Sequence, residues 1–112
     1  MGQLIDSSIF IALERRGQSL RTLARAAPPE PIALASITAS ELLMGVHRAD
    51  TAARRVRRAA FVEAILTRVP VLPFDLQVAR VHAQIGAELA AVGQPIGAHE
   101  LIIAATALAY GY

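Results

Sequence analysis

The chain has 112 residues, no cysteine and a formal net charge of only +2. A chain of this length forms one domain with one core, and without cysteine it has neither disulfides nor thiolate metal sites, which is typical of a cytoplasmic protein. No apolar run approaches the roughly 18–20 residues that cross a bilayer, and the N-terminus lacks the pattern of a signal peptide. We therefore expect a cytoplasmic protein with no membrane partner.

The N-terminal part of the chain predicts one short strand followed by a helix. Residues 3–5 form an apolar run that ends at Asp6, which is typical of a short buried strand. The segment IFIALE then predicts a helix with Asp6, Ser7 or Ser8 as its N-cap, because short polar side chains accept hydrogen bonds from the first backbone N–H groups. Residues 18–26 continue helically as far as the PPEP segment, where consecutive prolines stop a helix.

A second strand and two further helices follow the PPEP segment. The apolar run IALAS at residues 32–36 predicts a buried strand. Thr38 followed three residues later by Glu41 matches a capping box, in which each side chain accepts a hydrogen bond from the other residue's backbone N–H. This pattern predicts a helix that runs to about Arg48, and residues 51–69 predict the next one.

The C-terminal part predicts a third strand and two more helices. VPVLPF at 69–74 is a short apolar run bounded by proline, and Asp75 is expected to cap a helix that runs to about Val92. Glycine and proline at 93–97 mark a loop. Residues 101–109 are apolar on every face, so we expect this last helix to be buried against the sheet.

Strands that alternate with helices predict an α/β layer fold with a parallel sheet. Ligand sites of such folds lie beyond the carboxyl ends of the strands, near the point where the strand order reverses. The final residues, Tyr110-Gly111-Tyr112, have the pattern of a helix C-cap that leads into another strand. Two interpretations stay open: a domain complete with three strands, or a sequence that lacks its C-terminal end.

Three of the nine acidic residues lie within apolar runs where strands give way to helices: Asp6, Glu41 and Glu100. Helix capping explains each of them singly. Together they predict more, because ionised carboxylates in apolar surroundings are costly unless paired or bound to a cation. If the three side chains converge, they form a hard-cation site suited to phosphodiester hydrolysis. The hydroxyl of Ser8 could hold a carboxylate or a metal-bound water there, or could simply cap the helix.

The segments IDSSIFIALE, ASITASELLMGV and IGAHELIIAATALAYGY, in this order, closely resemble the PIN-domain ribonucleases, specifically the VapC toxins of toxin–antitoxin operons. The resemblance covers nearly the whole chain. It implies a single domain over residues 1–112 with a three-layer PIN-like α/β fold, a short parallel sheet flanked by helices, whose final strand is missing from this chain. It also implies an endoribonuclease that uses Mg²⁺, or alternatively Mn²⁺, that forms a homodimer and that a VapB-type antitoxin holds inactive.

The resemblance also assigns roles to the acidic residues. Asp6 matches the first metal-binding acid, Ser8 the hydroxyl residue beside it, Glu41 the middle acid and Glu100 the third acid. The family normally has aspartate at the third position, and it continues past the Gly-Tyr pair with a strand that carries a Thr-x-Asn or Thr-x-Asp element. These two departures keep a second hypothesis open, in which the chain is a PIN-fold binding module that binds antitoxin or RNA without turnover.

All eleven basic residues are arginine, whose planar guanidinium binds phosphate oxygens bidentately. Arg54, Arg55, Arg57 and Arg58 form the densest basic stretch. A solvated surface and a contact with RNA or antitoxin explain this stretch equally well. The lack of lysine also excludes two other phosphate chemistries, because phosphoacceptor receiver domains and P-loop nucleotide-binding proteins both require a lysine at the site.

Overall fold

A short parallel sheet lies at the centre of the fold. The computed structural model describes residues 2–19, 21 and 31–112. Within them the strands are β1 (Gln3–Leu4), β2 (Ile32–Ala35) and β3 (Val71–Leu72), in the spatial order β1-β2-β3. Leu4 pairs with Ala33, and Ala35 pairs with Leu72. The described strands follow chain order, so their order does not reverse at any point. Among these strands, the topology indicates the location of a ligand site only through the carboxyl edge of the sheet.

Five helices flank this sheet among the described residues. Helix α1 packs on α2, α2 packs on α3, and α4 packs on α5, which also contacts β1 and β2. This arrangement confirms the predicted α/β fold with a short parallel sheet. The bounds of the helices are α1 Ser7–Arg15, α2 Ser36–His47, α3 Ala52–Arg68, α4 Leu76–Ala91 and α5 Ala98–Tyr110.

The core forms where α1, α2 and α3 meet the central strand. Its residues recur at spacings of three and four along the helices, which places them on one face of each helix. Phe10 of α1, Leu34 of β2 and Ile65 of α3 are fully buried. The complete cluster of buried residues is Phe10, Leu13, Leu34, Leu42, Val62, Ile65 and Val69.

The start of α2 differs from the capping-box prediction. Helix α2 begins at Ser36, directly after β2, and Thr38 is buried in its first turn instead of capping it. The Ser36 hydroxyl donates a hydrogen bond to the carbonyl oxygen of Leu72 in β3 at 2.8 Å. This contact with the neighbouring strand fixes the start of the helix, and it places Glu41 in the second turn, where a capping role no longer accounts for it.

Helix α1 is shorter than the helical stretch predicted through residue 26. It ends at Arg15 because Gly17 has a φ of 65°, a left-handed conformation that favours glycine. The N–H of Gln18 donates to the carbonyl of Leu13 at 2.9 Å, which closes the helix end. Residue 20 and residues 22–30, which carry the rest of this prediction and most of the PPEP segment, lie outside the described residues.

Helices α4 and α5 form where the sequence predicts them. Asp75 caps α4, since its Oδ1 accepts a hydrogen bond from the N–H of Val78 at 3.0 Å. Gly111 ends α5 with a φ of 73°, as the C-cap pattern predicts. Helix α5 packs against the sheet as expected, since it contacts β1 and β2. Its burial is only partial, because Ala105 is fully buried but Leu108 is 65% exposed. No described helix has the length and hydropathy to cross a bilayer.

Candidate active site

Asp6 lies at the carboxyl end of β1, at the N-cap position of α1. Its backbone is extended (φ −76°, ψ 149°), and its side chain does not cap the helix. Instead the hydroxyl of Ser8 donates a hydrogen bond to Asp6 Oδ2 at 2.6 Å. Both side chains are exposed. The Ser8 hydroxyl therefore contacts the Asp6 carboxylate, and its role in a metal site stays a prediction.

Glu41 extends from the second turn of α2 and is 33% exposed. It lies on the wall of a cavity of about 170 Å³ between α1, α2 and α3, together with Phe10 and Phe61. Its Oε2 lies 3.6 Å from Nδ1 of His99, at the start of α5. The middle acid of α2 and the first turn of α5 are therefore neighbours in the fold.

Glu100 lies in the first turn of α5 and is exposed. Its Oε2 accepts a hydrogen bond from the backbone N–H of Gly97 at 3.0 Å, so that the side chain caps its own helix. A Cβ atom at position 97 would lie only 2.7 Å from this oxygen. Glycine at position 97 thus lets the carboxylate fold back over the helix end, and the negative charge also suits the positive end of the helix dipole.

The sheet brings two of the three acids to one edge. Asp6 follows β1 and α2 follows β2, and these strands are parallel neighbours, so both segments leave the sheet at its carboxyl edge. His99 brings the first turn of α5 against Glu41. However, no group of three acids or histidines lies close enough to hold one ion within residues 2–19, 21 and 31–112. The shared metal site of Asp6, Glu41 and Glu100 therefore stays a prediction.

The donor atoms suit a hard cation even though they are not gathered around one point. Carboxylate and hydroxyl oxygens are the ligands that Mg²⁺ and Mn²⁺ accept, and Mg²⁺ needs few of them because it keeps several waters. The carboxylates of Asp6 and Glu100 are exposed, which leaves room for such waters. In the described conformation one carboxylate oxygen of Glu100 accepts a hydrogen bond from the N–H of Gly97. Glu100 must break this bond before both of its oxygens can coordinate an ion.

The arginine stretch of α3 is held by specific contacts. Arg54 forms two hydrogen bonds with the carboxylate of Asp50, at 3.0 and 2.9 Å. Arg58 donates from Nε to Glu14 of α1 at 3.1 Å and from a terminal nitrogen to the carbonyl of Gly45 in α2 at 2.9 Å. Arg58 therefore ties three helices together. Arg57 is exposed and forms no ion pair with another described residue.

Two contacts near the site gave no signal in the sequence. His99 lies beside Glu41, although its side chain is 56% exposed. Glu14 and Arg58 stand far apart along the chain and meet only because α1 packs beside α3. Neither pair has a spacing that a local pattern could detect, since each depends on how helices pack.

A separate acid, Asp75, shows what two hydrogen bonds do to a carboxyl group. The N–H of Val78 and the hydroxyl of Tyr110 both donate to Asp75, and these hydrogen bonds lower the pKa of its carboxyl group. The same contact with Asp75 raises the pKa of the Tyr110 hydroxyl. Asp75 thus links the start of α4 to the end of α5 and takes no part in the candidate site.

Comparison with known proteins identifies the family of the chain. The PIN domain family matches residues 4–112 of the chain. Ribonuclease VapC1 of Rickettsia felis is 35% identical over 112 residues, which cover 100% of this chain and 81% of that protein. The structure of VapBC-5 from Mycobacterium tuberculosis, a member of the VapBC family of toxin-antitoxin systems, superimposes with a TM-score of 0.73 at 31% identity and covers 97% of this chain and 79% of that chain.

A second solved structure gives the same result. DNA-bound VapBC from Salmonella typhimurium has a TM-score of 0.79 at 28% identity, with 98% of this chain and 80% of that chain covered. The match over residues 4–112, together with the shared fold, shows that the chain belongs to the PIN domain family. Within the family it is similar to the VapC branch along its whole length.

Proposed function

We propose that this chain is the toxin of a VapBC-type toxin–antitoxin pair and that it is a metal-dependent endoribonuclease that hydrolyses RNA phosphodiester bonds. The observation that supports this most is the placement of Asp6 and Glu41 at one edge of the sheet in a chain that is similar to proteins named ribonucleases. Asp6, Glu41 and Glu100 would hold Mg²⁺ or Mn²⁺, directly or through water.

Each side chain of the site then has a defined task. Ser8 holds the Asp6 carboxylate by its hydrogen bond of 2.6 Å, and the three carboxylates would hold the cation and balance its charge. His99, whose ring lies 3.6 Å from Glu41, would help to orient that carboxylate. When bound, the cation supplies positive charge that activates water and stabilises the leaving oxygen of the scissile phosphate. RNA would approach the exposed side of Asp6.

The proposal is tested by RNA cleavage with and without EDTA. Asp6→Asn keeps the size of the side chain and removes its charge, and we expect it to lower the cleavage rate at least about 100-fold, because misplaced or weakened ligation costs such factors. Glu63→Gln, an exposed acid on α3, is the matched control and should cleave like the unchanged chain. Equal cleavage by Asp6→Asn and the unchanged chain, or cleavage that persists in EDTA, would refute the proposal.

The proposed partners are RNA, a VapB-type antitoxin and a second copy of the chain. The similar solved structures are VapBC complexes, which supports the antitoxin. A homodimer is supported by large apolar side chains exposed on α4 and α5, such as Leu76 at 66% and Leu108 at 65%. Light scattering should give twice the chain mass of 11.9 kDa, whereas the single-chain mass at micromolar concentration would exclude the homodimer.

A second candidate function is a PIN-fold module that binds antitoxin or RNA without turnover. The cap between Glu100 and Gly97 favours it, because a carboxylate that closes its own helix is less available to an ion. Under this hypothesis, calorimetry shows partner binding that does not depend on magnesium, and no RNA is cleaved at any metal concentration. Metal-dependent cleavage that Asp6→Asn abolishes would eliminate it.

A further inference from the structure

An open groove of about 640 Å³ lies between the end of α1 and the first half of α3. We call it the basic groove, because its charged lining consists of four arginines and one glutamate: Arg15, Arg54, Arg57, Arg58 and Glu14. The whole chain carries a net charge of only +2, so this concentration of positive charge on one face is a local feature. A groove with such a charge suits a polyanion.

Two of the four arginines in the basic groove are paired with acids, and the other two carry the positive charge that is unpaired within the described part of the chain. Arg58 is paired with Glu14, and Arg54 is paired with Asp50. Arg15 and Arg57 form no ion pair among the described residues, and both are exposed. Two guanidinium groups on facing helices can each bind a phosphate oxygen pair, since this planar group matches phosphate geometry.

The basic groove continues into the cavity that holds Glu41. The two share four lining residues: Glu14, Arg15, Arg58 and Phe61. Phe61 is half-buried and forms part of the common wall, where its ring can offer a stacking surface to a nucleobase. Positive charge along a groove together with an aromatic side chain is the combination that binds single-stranded nucleic acid. One continuous surface thus leads from the arginines to an acid of the candidate site.

We propose that the basic groove binds the phosphate backbone of single-stranded RNA through Arg15 and Arg57 and leads the strand towards Glu41. This inference rests on the proposed ribonuclease function and adds the path by which substrate reaches the site. It also assigns the arginine stretch: Arg57 contacts RNA, whereas Arg54 and Arg58 hold the groove in shape through Asp50 and Glu14.

The test measures RNA binding separately from cleavage. A fluorescent single-stranded RNA of about 12 nucleotides, within the usual site size, is titrated with the full chain in EDTA at several salt concentrations. The double variant Arg15→Gln/Arg57→Gln should raise Kd about tenfold and reduce the slope of log affinity against log salt by about 1.4, because each phosphate contact to a single strand contributes about 0.7. Arg80→Gln on α4, an exposed arginine outside the groove, should change neither.

Each other outcome is decisive as well. If the double variant keeps both Kd and slope while the unchanged chain cleaves RNA, the groove assignment is overturned and the ribonuclease proposal stands. If the double variant loses binding but the unchanged chain never cleaves, the groove stands and the ribonuclease proposal fails. If the double variant binds RNA normally but no longer retains a co-expressed VapB-type antitoxin, the groove is a protein interface and the RNA proposal is overturned.

Discussion

The two ends of the candidate site hold their acids in different ways. At β1, Asp6 stands at the N-cap position without capping, and the Ser8 hydroxyl holds its carboxylate. At α5, Glu100 stands inside the first turn and reaches back to the N–H of Gly97. The length of the side chain and its place in the turn decide which partner it meets. An acid near the start of a helix is therefore available to a ligand only when its carboxylate does not accept hydrogen bonds from the first backbone N–H groups.

The largest difference between the two ends should appear in Mn²⁺ affinity. Because nothing but Ser8 holds the Asp6 carboxylate among the described residues, Asp6→Asn should weaken Mn²⁺ binding by roughly 10–100-fold, while the melting temperature stays unchanged. Binding is measured by electron paramagnetic resonance of free Mn²⁺, with Glu63→Gln as the control. A large loss of melting temperature in Asp6→Asn would show that this acid stabilises the fold after all.

Glu100→Asp tests the availability of the carboxylate at the start of α5. The shorter side chain should reach Gly97 less well, which frees its carboxylate, so Mn²⁺ affinity and cleavage should both rise by up to about tenfold. The same two assays measure this change. A fall in both would mean that glutamate is the better ligand at this position and that the cap opens readily.

The sequence predicted what depends on neighbours along the chain. Asp75 bonds to Val78, and Gly111 ends α5, because caps act over a few residues. The short apolar runs at β2 and β3 likewise predicted these strands of the sheet. The prediction that Thr38 caps α2 was wrong, because the helix begins at Ser36, whose hydroxyl bonds to Leu72 in a strand far along the chain. The contact between His99 and Glu41 likewise depends on how α5 packs beside α2.

The cap itself should carry a smaller effect on stability. Glu100→Ala removes the hydrogen bond to Gly97 and should lower the free energy of unfolding by about 1 kcal/mol, a typical value for a helix cap. Glu100→Gln keeps an oxygen that can accept the same bond but loses the charge that suits the helix dipole, so its stability should lie between those of the alanine variant and the unchanged chain. Urea denaturation compares the three. Equal stability of the alanine and glutamine variants would contradict the capping role.

The smallest expected effect concerns Asp75, an acid outside the candidate site that caps α4 and accepts a hydrogen bond from Tyr110. Its pKa is lowered in the folded chain, chiefly by the Val78 N–H and then by Tyr110, so its stabilising contribution is present above its unfolded pKa and is lost as the pH falls through the folded value. Asp75→Asn keeps a cap but does not titrate. The melting temperature of the unchanged chain should therefore fall further than that of the variant below about pH 4, and parallel profiles would contradict this.

The central claim is that Asp6, Glu41 and Glu100 serve one cation, and a crystal soaked in manganese tests it most directly. We expect one anomalous peak about 2.1 Å from an Asp6 oxygen, with Glu41 and Glu100 bound to the same ion or to its waters and with the Gly97 N–H released. A peak that involves only one of the three carboxylates, or no peak at saturating manganese, would contradict the account.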